Sequence, residues 1–171
     1  MHAVAQALKP RLLSGLRDSQ WLKQEMEYLW THFFADIPRV NVVEVRFAGS
    51  WKSRLGVISL SEDTRTSYIG INSLLSLPEA PYYVSRITVA HELVHYAHGF
   101  GSPLPRQHRH PHRGRIVEKE LLARGFRQEW VVYHDWIRNH WYDFYDSCAL
   151  NPEVVVPAPV AGNTRETYAS Q

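Results

Sequence analysis

Two histidines and a glutamate interrupt a stretch of the chain that otherwise has the apolar character of a buried helix. Residues 91–95 read His-Glu-Leu-Val-His, and residues 88–90, directly before them, read Thr-Val-Ala. Residues four apart project from the same face of a helix, so His91 and His95 share one face. Polar groups are costly to bury without partners. The chain must therefore fold so that this helix is packed while its histidine face lines a site.

The spacing of these residues fits a metal centre. Two imidazoles at i and i+4 can meet one ion at about 2.0–2.1 Å, the distance that zinc prefers. Glu92 follows the first histidine and reaches the space beside the ion. There a carboxylate can accept a proton from an attacking water and pass it to a leaving amine. The segment predicts a Zn²⁺ site with His91 and His95 as ligands and Glu92 as general base.

The residue pattern leaves the third ligand open. A catalytic zinc has three protein ligands and one open position. His98 lies on the same helix face, but about 4.5 Å of helix rise beyond His95, an awkward position for a third ligand. The following loop and helix offer five further candidates, which are His108, His110, His112, Glu118 and Glu120. A glutamate ligand would make this a gluzincin-type site.

Apolar periodicity predicts four helices. They run from about residue 19 toward Pro38, from about 82 to 98, from about 113 to 124 and from about 128 to 146. The first has a stripe at Leu22, Met26, Leu29 and Phe33, with Asp18 or Ser19 as its cap. Residues 1–17 are expected to form a short helix or a loose arm.

Alternating or apolar β-prone segments predict three strands, at residues 40–48, 55–60 and 67–71. Because the intervening turns are short, we expect a three-stranded antiparallel meander and an α+β fold. The third strand directly precedes the histidine segment. We therefore expect it to offer a free edge to an extended substrate, with Gly70 leaving room for close backbone approach.

The motifs resemble those of SprT-like (Spartan-type) zinc metallopeptidase domains. Residues 112–116 (HRGRI) take the place of that family's third-histidine segment, and residues 122–126 (LARGF) that of its helix ending. Upstream, residues 54–56 (RLG) and 69–72 (IGIN) resemble its strand segments. The resemblance covers about residues 40–126. The zinc ribbon common in the family is absent from this sequence, which has a single cysteine.

This resemblance implies a zincin-like fold, with a helix packed on the meander, then the active-site helix and two further helices. It implies His91, His95 and His112 as the zinc ligands and Glu92 as the base. The implied activity is hydrolysis of peptide bonds in protein substrates, with proteins bound or crosslinked to DNA as a candidate class. A role in DNA–protein crosslink repair would follow.

Composition and charge limit the classes of partner and the cellular location that we expect. The chain has 171 residues and a formal net charge of +2, which by itself does not indicate nucleic-acid binding. Arginines are dense between residues 106 and 127, so single-stranded DNA is a candidate partner, although a solvated charged run is the plainer interpretation. Neither an apolar run of membrane-spanning length nor a signal peptide is evident. We expect one domain at residues 1–150, a flexible tail at 151–171, and a cytoplasmic monomer.

Two other functional interpretations remain at this stage. One is a regulatory gluzincin that uses Glu118 or Glu120, and the other is a metal-binding or DNA-binding module without turnover. Glu92 favours catalysis, because a purely structural site has no use for a base. Tyr133 or His134 could stabilise an oxyanion, and the sequence does not choose between them.

Overall fold

Four helices and a mixed four-stranded sheet form the part of the chain that the structure, a computed structural model, describes. That part comprises residues 17–150 and the backbone of residues 164–169. The helices are α1 (Ser19–Phe33), α2 (Tyr82–Ala97), α3 (Ile116–Ala123) and α4 (Arg127–Ala149), and the strands are β1 (Val42–Phe47), β2 (Gly56–Ser61), β3 (Thr66–Ile71) and β4 (Thr164–Ala169). The predicted α+β class is confirmed. The predicted arm at residues 1–16 and most of the predicted tail, at 151–163 and 170–171, lie outside the described residues.

Helix α1 forms as its sequence predicts. The Asp18 side chain accepts a hydrogen bond from the Trp21 backbone N–H at 2.8 Å and so caps the first turn. The predicted stripe supplies the fully buried residues Leu22, Met26 and Leu29. The helix ends at Phe33, before Pro38. Its apolar face thereby packs against β1 and α2.

The sheet is not the predicted meander. Its strand order is β1-β3-β2-β4, with β1 parallel to β3 and β2 antiparallel to β3. The connection from β1 to β2 passes across the end of β3, where the Asn72 side chain donates hydrogen bonds to the carbonyls of Trp51 (2.7 Å) and Arg54 (2.8 Å). Because the connection crosses the sheet, β3 inserts between two strands that are consecutive in sequence.

This strand order removes the predicted substrate edge. β3 is paired on both sides, and Gly70 lies between Arg46 of β1 and Val57 of β2. A Cβ atom at Gly70 would come within 3.1 Å of Val57 Cγ1, so its space is taken up by the sheet. The expectation that residues 67–71 bind an extended substrate is therefore wrong. The expectation of a flexible tail also differs at residues 164–169, which form β4 and pair with β2.

Helix α2 is the central element of the structure. It contacts the three other helices as well as β2 and β3. Thirteen of its sixteen residues are buried. The two helices that follow it lie within three residues of their predicted bounds. Among the described residues, no helix has the length and apolar character needed to cross a membrane.

We expect Tyr96→Phe to destabilise the fold by about 1–3 kcal/mol, because it removes two hydrogen bonds that the hydroxyl of a buried side chain makes. The Tyr96 hydroxyl donates to Asn41 Oδ1 at 2.9 Å and accepts from the Val40 N–H at 3.1 Å, which fastens α2 to the start of β1. The free energy of unfolding in urea measures the loss. Tyr28→Phe, at a tyrosine that is 43% exposed, is the matched control. Equal stability of the two variants would contradict the role of this hydroxyl.

Candidate metal centre

Helix α2 carries the predicted polar residues into the interior. His91 is 7% exposed, and Glu92 and His95 are fully buried. The ring centroids of the two histidines lie 4.8 Å apart, as expected for neighbours on one helix face. The helix is surrounded by packed elements, so the two imidazoles lie beside each other in the interior.

The third histidine, His112, lies at the start of the turn that precedes α3. His112 stands directly before a short 3₁₀ segment, Arg113–Arg115, in which Gly114 and Arg115 adopt left-handed backbone conformations with φ of 73° and 57°. A Cβ at Gly114 would meet nothing within 4 Å, so there is room for a side chain. Glycine is favoured at this position because the left-handed backbone conformation strains other residues. Arg115 pays the steric cost of its conformation while its guanidinium pairs with Glu118. This turn sets where His112 lies.

The structure brings His91, His95 and His112 together. One ring nitrogen from each can be chosen so that all three lie within 4.8 Å of one another, an arrangement that can hold a metal ion. The His112 ring centroid lies 4.7 Å from that of His95 and 5.8 Å from that of His91. His112 is the most exposed of the three. In the described part of the chain, this is the one group of three or more such side chains that meets this criterion.

The donor atoms fit a metal ion chemically. His91 Nε2 and both ring nitrogens of His95 are buried and make no hydrogen bond to any described residue. Burial, together with the neighbouring imidazoles, lowers the pKa of His91 to about 3 and that of His95 to about 2. Both rings are therefore neutral at physiological pH, and neutral imidazole is the form that binds a metal. A bound cation would give these buried nitrogens the partner that burial of polar atoms requires.

Both glutamates of the gluzincin-type alternative are engaged elsewhere. Glu118 accepts two hydrogen bonds from the Arg115 guanidinium, and these contacts lower the pKa of its carboxyl. Glu120 accepts a hydrogen bond from Arg124 Nε at 2.8 Å. Arg124 also pairs with Asp36 and so links α3 to the end of α1. Neither glutamate belongs to the group around His91 and His95.

The remaining histidine candidates lie apart from this group. His98 is 4% exposed, and its ring packs against that of His108 with centroids 4.7 Å apart. Its Nε2 atom is 3.9 Å from a Glu120 oxygen. His108 and His110 line a separate cavity of about 170 Å³ together with Arg109 and Arg113. Among the described residues, none of these three histidines belongs to the group formed by His91, His95 and His112.

Glycine 56 is a site residue that sequence reasoning did not single out. It opens β2 and packs on α2, where an added Cβ would come within 2.5 Å of Glu92 Oε1 and 2.7 Å of Thr88 Cγ2. The carboxylate of Glu92 is therefore held against the backbone of the strand. A glycine within a strand is the sequence signal for such a close approach.

A cavity of about 110 Å³ opens beside His91. Residues 53–55, just before β2, line one side, and Tyr133, Ile137 and Trp141 of α4 line the other. The pKa of Tyr133 is raised to about 12, chiefly by burial; a hydrogen bond with Thr88 lowers it, and the charge of Glu92 contributes to the rise. Its hydroxyl is therefore protonated at neutral pH and can donate a hydrogen bond. His134 is exposed and lies against Trp130, away from this lining.

The arginines between residues 106 and 127 have several structural roles. Arg115 and Arg124 form the ion pairs described above. Arg106 lies over the Phe100 ring at 4.7 Å from its centroid. Arg109 and Arg113 are exposed beside the loop histidines. Part of the arginine density therefore holds α3 and the loop in place.

No protein-family model, curated protein or solved structure was found to match this chain. The SprT-like resemblance therefore stays a prediction from the motifs.

We expect the purified chain to bind one zinc ion through His91, His95 and His112. His112→Ala removes one of three ligands, so it should lower zinc affinity by more than the roughly 10–100-fold that loss of an outer-shell partner costs. Competition with a chromogenic chelator measures the affinity. His108→Ala and His110→Ala, four and two residues away in the same loop, are the controls and should bind zinc as the wild type does. Loss of zinc from Glu120→Ala, with retention by His112→Ala, would contradict this ligand set.

Proposed function

We propose that this chain is a zinc-dependent metallopeptidase. The observation that carries the proposal is the meeting of three histidines around a space next to the buried Glu92 and an adjoining cavity. Three protein ligands leave the fourth zinc position open, as catalytic sites do, whereas structural zinc sites use four. We also propose the zincin-like classification, since an HExxH helix packs here on a mixed sheet.

Zinc, when bound, would act as a Lewis acid that lowers the pKa of a water molecule toward about 7 and polarises the substrate carbonyl. The protein supplies the remaining groups. In this proposal Glu92 accepts the proton of the attacking water and delivers it to the leaving amine. Contact with Gly56 and burial on α2 fix the position of its carboxylate.

Tyr133 is our candidate for stabilising the negative charge that develops on the carbonyl oxygen. It lines the same cavity as His91, and its hydroxyl retains its proton well above neutral pH. A fixed donor in a buried site stabilises an oxyanion without reorganising. Of the two candidates that the sequence left open, only Tyr133 lines this cavity.

The substrate is proposed to be protein, as the SprT-like resemblance suggests. Proteins bound to DNA are the class that this resemblance favours, with Arg109 and Arg113 as exposed residues for phosphate contact. The proposed chemistry requires only the zinc ligands, Glu92 and Tyr133, so it does not depend on DNA. A metal-binding module without turnover is the competing function, and the two differ in whether Glu92 matters for anything besides folding.

Glu92→Gln should retain zinc and melting temperature but reduce peptide cleavage by at least about 100-fold, because the amide keeps the size of the carboxylate and loses its basicity. Cleavage of a casein substrate by the zinc-loaded protein measures the effect. Glu129→Gln, at a partly exposed glutamate of α4, is the matched control and should leave cleavage unchanged. Unchanged cleavage by Glu92→Gln would rule out its role as base. Absence of any cleavage by the zinc-loaded wild type would favour the binding module.

Tyr133→Phe should lower kcat by about 10- to 1000-fold while KM and zinc content change little, because a donor to the oxyanion acts mainly in the transition state. Steady-state kinetics with a defined fluorogenic peptide separate the two constants. Tyr82→Phe, at a tyrosine that is 54% exposed, is the control. A change confined to KM would show that Tyr133 binds substrate and does not stabilise the oxyanion.

A further inference from the structure

The outer edge of β2 is occupied by a segment from far along the chain. β4 pairs antiparallel with β2, so that Val57 lies opposite Ala169, Ser59 opposite Thr167 and Leu60 opposite Glu166. The other edge of β2 is paired with β3. Without β4, the N–H and C=O groups along this outer edge would be available to another extended chain.

This edge leads directly to the candidate metal centre. Ala169 lies opposite Val57, and the preceding residue, Gly56, is the one that contacts Glu92. Residues 53–55 come next and line the cavity beside His91. A strand advances about 3.3 Å per residue. An extended chain paired along β2 would therefore reach the cavity within a few residues of the position that Ala169 occupies.

β4 depends almost entirely on β2 for its place. Beyond β2, it makes few contacts with any other described element. Its sequence, Thr-Arg-Glu-Thr-Tyr-Ala, is mainly polar. Pairing of this kind rests chiefly on backbone hydrogen bonds, which tolerate many sequences. Another extended peptide could therefore form the same ladder in its place.

We propose that β4 is an autoinhibitory strand, which occupies the edge of β2 where an extended peptide substrate docks. The inference rests on the proposed peptidase function, because it assigns the substrate-binding edge of that site. A substrate binds only when β4 leaves β2. The apparent affinity for peptide is then reduced by the fraction of molecules in which this edge is free.

The test weakens β4 in the full-length, zinc-loaded chain. Successive N–H groups of a strand point to opposite sides, so Thr167→Pro/Tyr168→Pro removes one donor that faces β2 whichever residue carries it. The control, Thr167→Val/Tyr168→Val, keeps every N–H group and the preference for strand. Both pairs are placed in a Glu92→Gln background, so that binding is measured without cleavage. The probe is the fluorescein-labelled oxidised insulin B chain, and hydrogen exchange of residues 57–61 reports whether the edge is open.

We expect the proline pair to speed exchange in β2 and to tighten probe binding about fivefold or more, while the valine pair changes neither. A synthetic peptide with the sequence of residues 164–169 should compete with the probe. Faster exchange without tighter binding would overturn the proposal, since β4 would then pair with β2 without blocking substrate. Unchanged exchange would overturn it as well, since β4 would not protect the edge in solution. Failure of the wild type to cleave any peptide would count against the peptidase function alone, because the binding comparison needs no turnover.

Discussion

Burial of α2 is the constraint on which the rest of the structure depends. Helix α2 is packed by three other helices and two strands, and every residue from 87 to 97 is buried, so His91, Glu92 and His95 lie in the interior. His91 Nε2 and both ring nitrogens of His95 are buried and make no hydrogen bond to a described residue, so a bound ion would give them a partner. The same burial keeps both imidazoles neutral and therefore able to bind a metal. Packing thus determines the protonation state that the site needs.

Features that depend on local sequence could be predicted. The α1 stripe, its Asp18 cap and the extent of α2 follow from periodicity and side-chain capping, which act over a few residues. The pairing of the strands could not be predicted in the same way. It depends on the connection between β1 and β2, which Asn72 holds by two backbone carbonyls some twenty residues earlier in the chain. A contact of that kind leaves no periodic signal, so adjacency in sequence was a misleading guide to adjacency in the sheet.

The third histidine illustrates an intermediate case. The i, i+4 spacing identifies His91 and His95, but a loop of more than ten residues separates them from His112, and spacing across such a loop says nothing about distance. The resemblance to SprT-like domains supplied His112 as a hypothesis. In the structure its position follows from the left-handed turn at Gly114 and Arg115 and from the pairing of Arg115 with Glu118. Glu118, which the sequence offered as an alternative ligand, is engaged in this same ion pair. One local interaction therefore affects the position of His112 and the availability of Glu118.

Strand β2 contacts Glu92 at its first residue and pairs with β4 along its outer edge. Its first residue lacks a side chain, which lets the backbone approach Glu92, and a larger residue there would displace the carboxylate. Its antiparallel direction carries its outer edge away from that contact toward Ser61, along the ladder formed with β4. Strand β2 therefore positions the Glu92 carboxylate and would also align any extended chain that pairs along its outer edge. Because β2 bears on both, movement of β2 relative to α2 would disturb the proposed base and the proposed substrate edge together. Such coupling favours a rigid sheet beneath the helix, which the two-sided pairing of β3 provides.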